Sequence, residues 1–315
     1  MRRGEHGGDW AAYQIQYHGM PLDFSANVSP MGIPAGVKRA LYQAVEEVNR
    51  YPDPLCRQLR ACLGRHHDVP SAQILCGNGA SDLIDRLVLA LRPKRGMVTA
   101  PAFSEYAQAL RRVGCQVEEF SLQRAEDFRV TARILERITP ALDILFLSEP
   151  SNPAGQTTDR TLLEKILERC DACGVLLVVD ECFEEFLLDR SHSMVSNLMG
   201  HHLLILRAFT KFYGLAGVRL GYCLCQEETL LEQMRLAGQP WPVSHLAQAA
   251  GMAALEETVY GDQLRAWTRR RREALRLALT QLGCDVVPGQ ANYLLFFHRN
   301  SSLDQDLAQR GILIR

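Results

Sequence analysis

From about Gln73 to Cys225, short apolar runs of strand length alternate with stretches whose apolar residues recur every three or four positions. That alternation predicts a mostly parallel α/β sheet joined by crossover helices. Seven runs read as strands: Gln73–Cys76, Gly96–Thr99, Gln116–Phe120, Ile144–Leu147, Val175–Val179, Leu203–Leu206 and Leu220–Leu224. Seven strands imply one large sheet. Between them, SDLIDRLVLAL sets Leu83, Ile84, Leu87, Val88 and Leu91 on one face and predicts a helix over Ser81–Leu91. After the Trp241-Pro242 break the pattern turns helical for some forty residues, then passes through the strand-like NYLLFF and a last helix to GILIR. The predicted organisation is an N-terminal arm over residues 1–35 that joins a small domain, a large domain over 36–245, and a small α+β domain over 246–315.

Composition narrows the partners. The 315 residues are 47% hydrophobic and 23% charged, the balance of a well-cored protein. With 35 basic and 36 acidic side chains the formal charge is -1, so no global field draws the chain to nucleic acid or an anionic membrane. Any anion site must be local. The opening MRRGEHGGDWAAYQIQYHGM lacks the apolar core of a signal peptide, and no later run reaches the roughly 18 apolar residues of a membrane span, which predicts a cytoplasmic protein. The basic run Arg269–Arg272 reads as the solvated face of the helix WTRRRREALRLALTQLG. The ten cysteines are scattered through periodic apolar segments and read as free thiols. Cys170 and Cys173 at a helix end, and Cys223 and Cys225 on a strand, do not form the paired knuckles of zinc, so no metal is expected.

Only four lysines occur, and Lys38, Lys94 and Lys165 lie on polar helix faces or in a loop. Lys211 instead follows the buried-looking LLILRAFT and precedes the glycine-punctuated FYGLAGVRLGY. An amine at a strand end is partly desolvated, which lowers its pKa and makes it a nucleophile for a carbonyl. Asp180 closes GVLLVVDE, at the carboxyl end of a central parallel strand, the edge where α/β sheets bind ligands. A buried carboxylate there needs a cation or strong donors, and the pyridinium nitrogen of pyridoxal 5'-phosphate (PLP) is such a cation. Capping of the next helix would also account for Asp180 by itself. CGNGASD, between a strand and a helix, offers Gly79, Ala80 and Ser81 as a phosphate cup, and it is neither a Walker A loop nor GxGxxG. Arg219 and Thr210 could reach the same phosphate, and Asn152 in SEPSNPAG could donate to the ring's phenolic oxygen.

A glycine cup, an Asn-Pro loop, a strand-end Asp and a Lys-x7-Arg, each just after a predicted strand, follow the order of fold-type I PLP enzymes. The sequence resembles the class I/II aminotransferase superfamily, and RAFTKFYGLAGVRLGY is similar to its lysine signature. Within it, the chain resembles the histidinol-phosphate aminotransferase branch over essentially its whole length. It is still more similar to the threonine-phosphate decarboxylases of cobalamin biosynthesis, through HGGD, LDFSANVSPMG, NRYPDP, ILCGNGASD, APAFSEY, DECFEEF, PGQANYLLF and GILIR.

The resemblance implies a fold-type I architecture with Lys211 as the Schiff-base lysine, Asp180 on the ring nitrogen, Asn152 near the phenolic oxygen and Phe103 stacked on the ring. It implies that Gly79, Ala80, Ser81, Thr210 and Arg219 hold the cofactor phosphate, with Tyr51 reaching it from the partner in a homodimer. The implied substrate contacts are His6, Gly7, Asn27, Asn152 and Arg315, although the residue types alone allow His6 and Gly7 to be a polar tail. The implied reaction is decarboxylation of L-threonine O-3-phosphate to (R)-1-aminopropan-2-yl phosphate. The alternatives are histidinol-phosphate or related aminotransfer and a non-catalytic PLP-binding regulator. Three departures stand out: Ala208 where many relatives carry Ser or Thr, SEPSNPAG for PNNPTG, and Phe183 for the aminotransferase Tyr, a change also seen in the decarboxylase group. The chain also ends at Arg315, before the second C-terminal arginine and terminal helix of these relatives, which implies an incomplete small domain with impaired substrate binding.

Overall fold

A computed structural model describes residues 7–315. Its strands are β1 (Leu22–Asp23), β2 (Ile74–Gly77), β3 (Arg95–Ala100), β4 (Gln116–Ser121), β5 (Ile144–Ser148), β6 (Leu176–Asp180), β7 (Leu203–Ala208), β8 (Gly221–Cys225), β9 (Asp285–Val286), β10 (Phe296–Phe297) and β11 (Ile312–Leu313). Its helices are α1 (Trp10–Tyr17), α2 (Ala35–Val45), α3 (Arg57–His67), α4 (Ala80–Leu91), α5 (Ser104–Arg112), α6 (Arg160–Cys173), α7 (Phe209–Phe212), α8 (Glu228–Leu236), α9 (His245–Leu255), α10 (Thr258–Gln281) and α11 (Leu303–Gln309).

The seven expected strands form one sheet in the order β2-β8-β7-β6-β5-β3-β4, with β8 antiparallel to both neighbours and the rest parallel. Apolar periodicity does not encode strand direction, so the reversal of β8 has no sequence signal. Central strands covered on both faces must be apolar throughout. Accordingly β5, β6 and β7 are buried at every position. Leu145, Leu147, Leu177 and Val179 pack on one side with Leu59 and Leu63 of α3 and Leu163 and Ile166 of α6. Phe146, Val178, Leu204 and Leu206 pack on the other with α4, α5 and α8.

Most strand ends shift by a residue or two from the apolar runs, for physical reasons. Ladder hydrogen bonds continue past the last apolar side chain, so Ser148 pairs with Asp180, and Ala208 with Gly221. At the other end, the Val175 N–H donates to the Cys170 carbonyl and closes α6, so β6 starts one residue late. NYLLFF yields only the two residues of β10, paired with β9, because residues before them turn to meet the loop that follows β5. The Arg269–Arg272 run is more than a solvated face: Arg272 Nη1 donates to the carbonyls of Gln290 and Ala291 at 2.5 and 2.8 Å. All ten cysteines are unpaired. Among the described residues no helix is long and apolar enough to cross a membrane. A two-stranded parallel pair, β1 with β11, ties the N-terminal segment to the last residues of the chain.

Candidate active site

The candidate residues gather at the carboxyl ends of β2, β5, β6 and β7. Asp180 ends β6 and is 7% exposed. Both its oxygens are occupied: Tyr106 Oη donates to Oδ2 at 2.5 Å, and the Cys182 backbone N–H donates to Oδ1 at 2.9 Å. Tyr106 comes from α5, its ring stacked on Phe146 at 5.1 Å and edge-on to Phe103 at 5.5 Å. Burial, and then the neighbouring Asp180, push the Tyr106 phenol well above its usual pKa, so it remains a donor. On the opposite face, Arg207 donates to Glu181 and Glu184 at 2.5 and 2.8 Å and holds the DECFEEF segment against β7.

Lys211 lies in the one-turn helix α7, three residues beyond β7, and not in the strand end itself. Its Nζ is 5.7 Å from the centre of the Phe183 ring. Burial lowers its pKa, Cys182 opposes that, Arg315 and Arg219 lower it further, and Asp180 opposes. The net direction is down, so the amine is neutral more often than an exposed lysine.

The cup at the start of α4 is shaped by space. Gly79 has φ +84°, and a Cβ there would lie 2.7 Å from Arg219 Nη2. A Cβ at Gly221 would lie 2.7 Å from Ala80 N, so β8 runs directly beneath the helix start. No side chain caps α4, which leaves its first N–H groups for an anion. Asp82 accepts the Asn78 N–H at 2.9 Å and is itself held by Arg86 Nε at 3.0 Å, which fixes the turn. Ser81 is half-buried beside Ala80, and Thr210 is buried in α7.

Arg315 and Asn152, 163 residues apart, meet through Nη2 donating to Oδ1 at 3.2 Å. Tyr293 Oη donates to the Ser151 carbonyl at 2.8 Å, its ring edge-on to Phe183 at 4.9 Å. The segment bearing Asn27 is fastened to α7: the Ser29 N–H donates to the Lys211 carbonyl at 2.8 Å, and Ser29 Oγ lies 2.6 Å from Tyr260 Oη. Gly7 packs on that segment so closely that a Cβ would strike the Ser25 carbonyl, and the Gly8 N–H donates to Ser25 Oγ at 2.9 Å. His6 lies outside the described residues. Tyr51 stands apart, 82% exposed, with its ring against Trp241 at 4.8 Å. Tyr106, Tyr293 and Tyr260 carry no role in the sequence reading. The one signal for Tyr106 is its place three residues after Phe103, the residue that caps α5.

This fold and this site define the class I and II aminotransferases: the chain matches that family over residues 20–315 and belongs to it. It is similar to the threonine-phosphate decarboxylase of Salmonella typhimurium, 39% identical over 297 residues, covering 93% of this chain and 82% of the relative. It is also similar to the histidinol-phosphate aminotransferase of Nitratidesulfovibrio vulgaris, 31% identical over 301 residues, covering 93% of this chain and 80% of the relative. Among solved structures, the histidinol-phosphate aminotransferase of Sinorhizobium meliloti in complex with pyridoxal-5'-phosphate shares the fold with a TM-score of 0.88 at 22% identity, covering 98% of this chain and 86% of that one. The chain is therefore an enzyme of this family.

Proposed function

We propose that this chain is a PLP-dependent decarboxylase that converts L-threonine O-3-phosphate to (R)-1-aminopropan-2-yl phosphate and carbon dioxide, a reaction of cobalamin biosynthesis. The observation that carries it is the Arg315–Asn152 contact beside Lys211, in a chain 39% identical to a threonine-phosphate decarboxylase. A guanidinium and an amide held next to an amine whose pKa burial lowers are what an amino acid's carboxylate needs beside a carbonyl-reactive lysine.

The residues present fit PLP. The Gly79 cradle that a Cβ would fill, with Arg219 over it, suits the phosphate, with Ala80, Ser81 and Thr210 at its rim. Asp180, with each oxygen fixed by a donor, suits the ring nitrogen; Phe103 suits the ring face and Asn152 the phenolic oxygen. Bound there, PLP supplies an electron sink for the carbanion formed at the substrate's α-carbon. Asp180 keeps a proton on the ring nitrogen. Arg315, with Asn27, Gly7 and His6, orients the carboxylate and phosphate of the substrate. Lys211 would hold the cofactor, and its amine, neutral more often than that of an exposed lysine, would carry the proton that replaces carbon dioxide at the α-carbon. Tyr51, exposed here, serves the partner's site in a homodimer.

Carbon dioxide released from O-phospho-L-threonine without any oxo acid is the expected result of a direct assay. Turnover that depends on 2-oxoglutarate would instead assign the aminotransferase activity that the Nitratidesulfovibrio relative's name carries. Gly79→Ala is expected to weaken PLP binding about tenfold, because a left-handed backbone and a displaced Arg219 together cost roughly 1–2 kcal/mol. An absorbance titration with PLP would read that change, and an unchanged affinity would place the phosphate elsewhere.

A further inference from the structure

Residues 149–158 leave β5 and lead to α6, and they present Asn152. The two ends of this segment are joined by one side chain. Glu149 is 3% exposed, and its two carboxyl oxygens meet the same residue: the Thr158 N–H donates to Oε2 at 2.9 Å, and the Thr158 hydroxyl pairs with Oε1. Each end of this strap is itself anchored. The Glu149 N–H donates to the Asp180 carbonyl at 2.9 Å, and Thr158 precedes Asp159, the N-cap of α6. Between them the segment closes on itself, with the Ser151 N–H donating to the Gln156 carbonyl at 2.7 Å. It also docks on the chain after β9: Gln156 Nε2 donates to the Pro288 carbonyl, and Gln290 Nε2 to Thr157 Oγ1.

Among the described residues, no cation faces the carboxyl group of this strap. The titratable groups that face Glu149 are Glu181, just past β6, and Tyr293, from the segment after β9. Glu181 disfavours a negative charge there, and Tyr293, whose phenol burial and the nearby carboxylates keep protonated, offers no positive charge to balance one. A buried carboxylate without a counter-ion is stable in its neutral form, which donates one hydrogen bond and accepts another. The neutral carboxyl matches Thr158: its O–H faces the threonine oxygen and its carbonyl takes the threonine N–H.

We propose that Glu149 is a positioning residue that acts in its protonated form, tying the two ends of the segment that presents Asn152, and that its ionisation loosens that segment. The proposal rests on the role given above to Asn152. Burial, with Glu181 adding to it against the opposing Thr158 hydrogen bonds, raises the Glu149 pKa to about 7. A folded-state pKa above the ordinary carboxylate value means the native state is favoured while the group stays protonated. That advantage is lost as pH rises from the ordinary value through about 7. The loosening therefore falls within the working range of an enzyme.

Glu149→Gln fixes the neutral form, since the amide can accept the Thr158 N–H and donate to the Thr158 oxygen. In the PLP-loaded enzyme acting on O-phospho-L-threonine, the ratio of kcat/KM for Glu149→Gln to wild type is expected to be near one at pH 6. It should rise about fivefold between pH 7 and pH 8, from about 2 to about 11, as the titration of a single proton near pH 7 requires. Titrations common to both proteins, such as that of Lys211, cancel in this ratio. In the full chain, amide hydrogen exchange across residues 149–158 should accelerate over the same interval in wild type beyond its chemical pH dependence, and not in Glu149→Gln. A ratio that stays flat from pH 6 to pH 8.5, or loop exchange that responds equally in both proteins, overturns the proposal. Exchange needs neither cofactor nor substrate. Absence of turnover would thus refute the proposed activity and leave exchange to decide on Glu149.

Discussion

Lys211→Ala is expected to eliminate the borohydride-reducible cofactor adduct and to lower turnover by about four orders of magnitude, the scale of losing a covalent catalytic group. No other amine can stand in, because Lys38, Lys94 and Lys165 are exposed and belong to α2, the turn before β3 and α6. The substitution should not harm the fold. Burial disfavours the charged form of Lys211, with Arg315 and Arg219 adding to that, so its folded-state pKa lies below that of the unfolded chain. A depressed lysine withdraws stability as pH falls through its folded pKa, and alanine removes that penalty. Lys211→Ala should therefore be at least as stable as wild type near pH 6, while inactive. Stability and activity moving in opposite directions is the mark of a side chain placed for chemistry and not for packing. Peptide mapping after borohydride reduction reads the result, and an adduct on Lys38, Lys94 or Lys165 would overturn the assignment.

The parts of this site that could be read from sequence are those set by position along a strand. Asp180 follows five apolar residues, and counting them puts it at the strand's carboxyl end, where β6 indeed stops. CGNGASD was legible for the same reason, as a glycine turn between a strand and an amphipathic helix. What could not be read is whatever depends on two distant segments meeting. Arg315 and Asn152 touch across 163 residues, and Tyr260 reaches Ser29 across 231. Neither periodicity nor turn chemistry records such pairs. Glu149, just ahead of the positions that replace PNNPTG, carried no signal in the sequence, because its meaning depends on Thr158 being its partner and on no cation facing it among the described residues. Tyr51 shows the complementary limit: its 82% exposure is an observation about one chain, whereas the role implied for it needs two.

Asp180→Asn is expected to leave the fold intact and to lower kcat on the order of a thousandfold, with little change in substrate KM. The shape of the group survives. The asparagine carbonyl can still accept the Cys182 N–H, and its amide can donate to Tyr106 Oη, whose hydroxyl turns to accept. Tyr106, stacked on Phe146 and braced by Phe103, has no cause to move, so unfolding free energy should change by no more than about 1 kcal/mol. What disappears is the negative charge, in a site where few waters could replace it. Without it the ring nitrogen loses its proton at neutral pH, and the carbanion loses the field that stabilises it. Because that field matters most after bond cleavage begins, the loss belongs to kcat more than to KM. A cofactor methylated at the ring nitrogen carries the positive charge permanently and does not need Asp180 to hold a proton. It should recover a large part of the lost rate in Asp180→Asn while doing nothing for Lys211→Ala. Equal failure of both variants with that cofactor would mean that Asp180 shapes the site by packing, and that the proton on the ring nitrogen is held by something else.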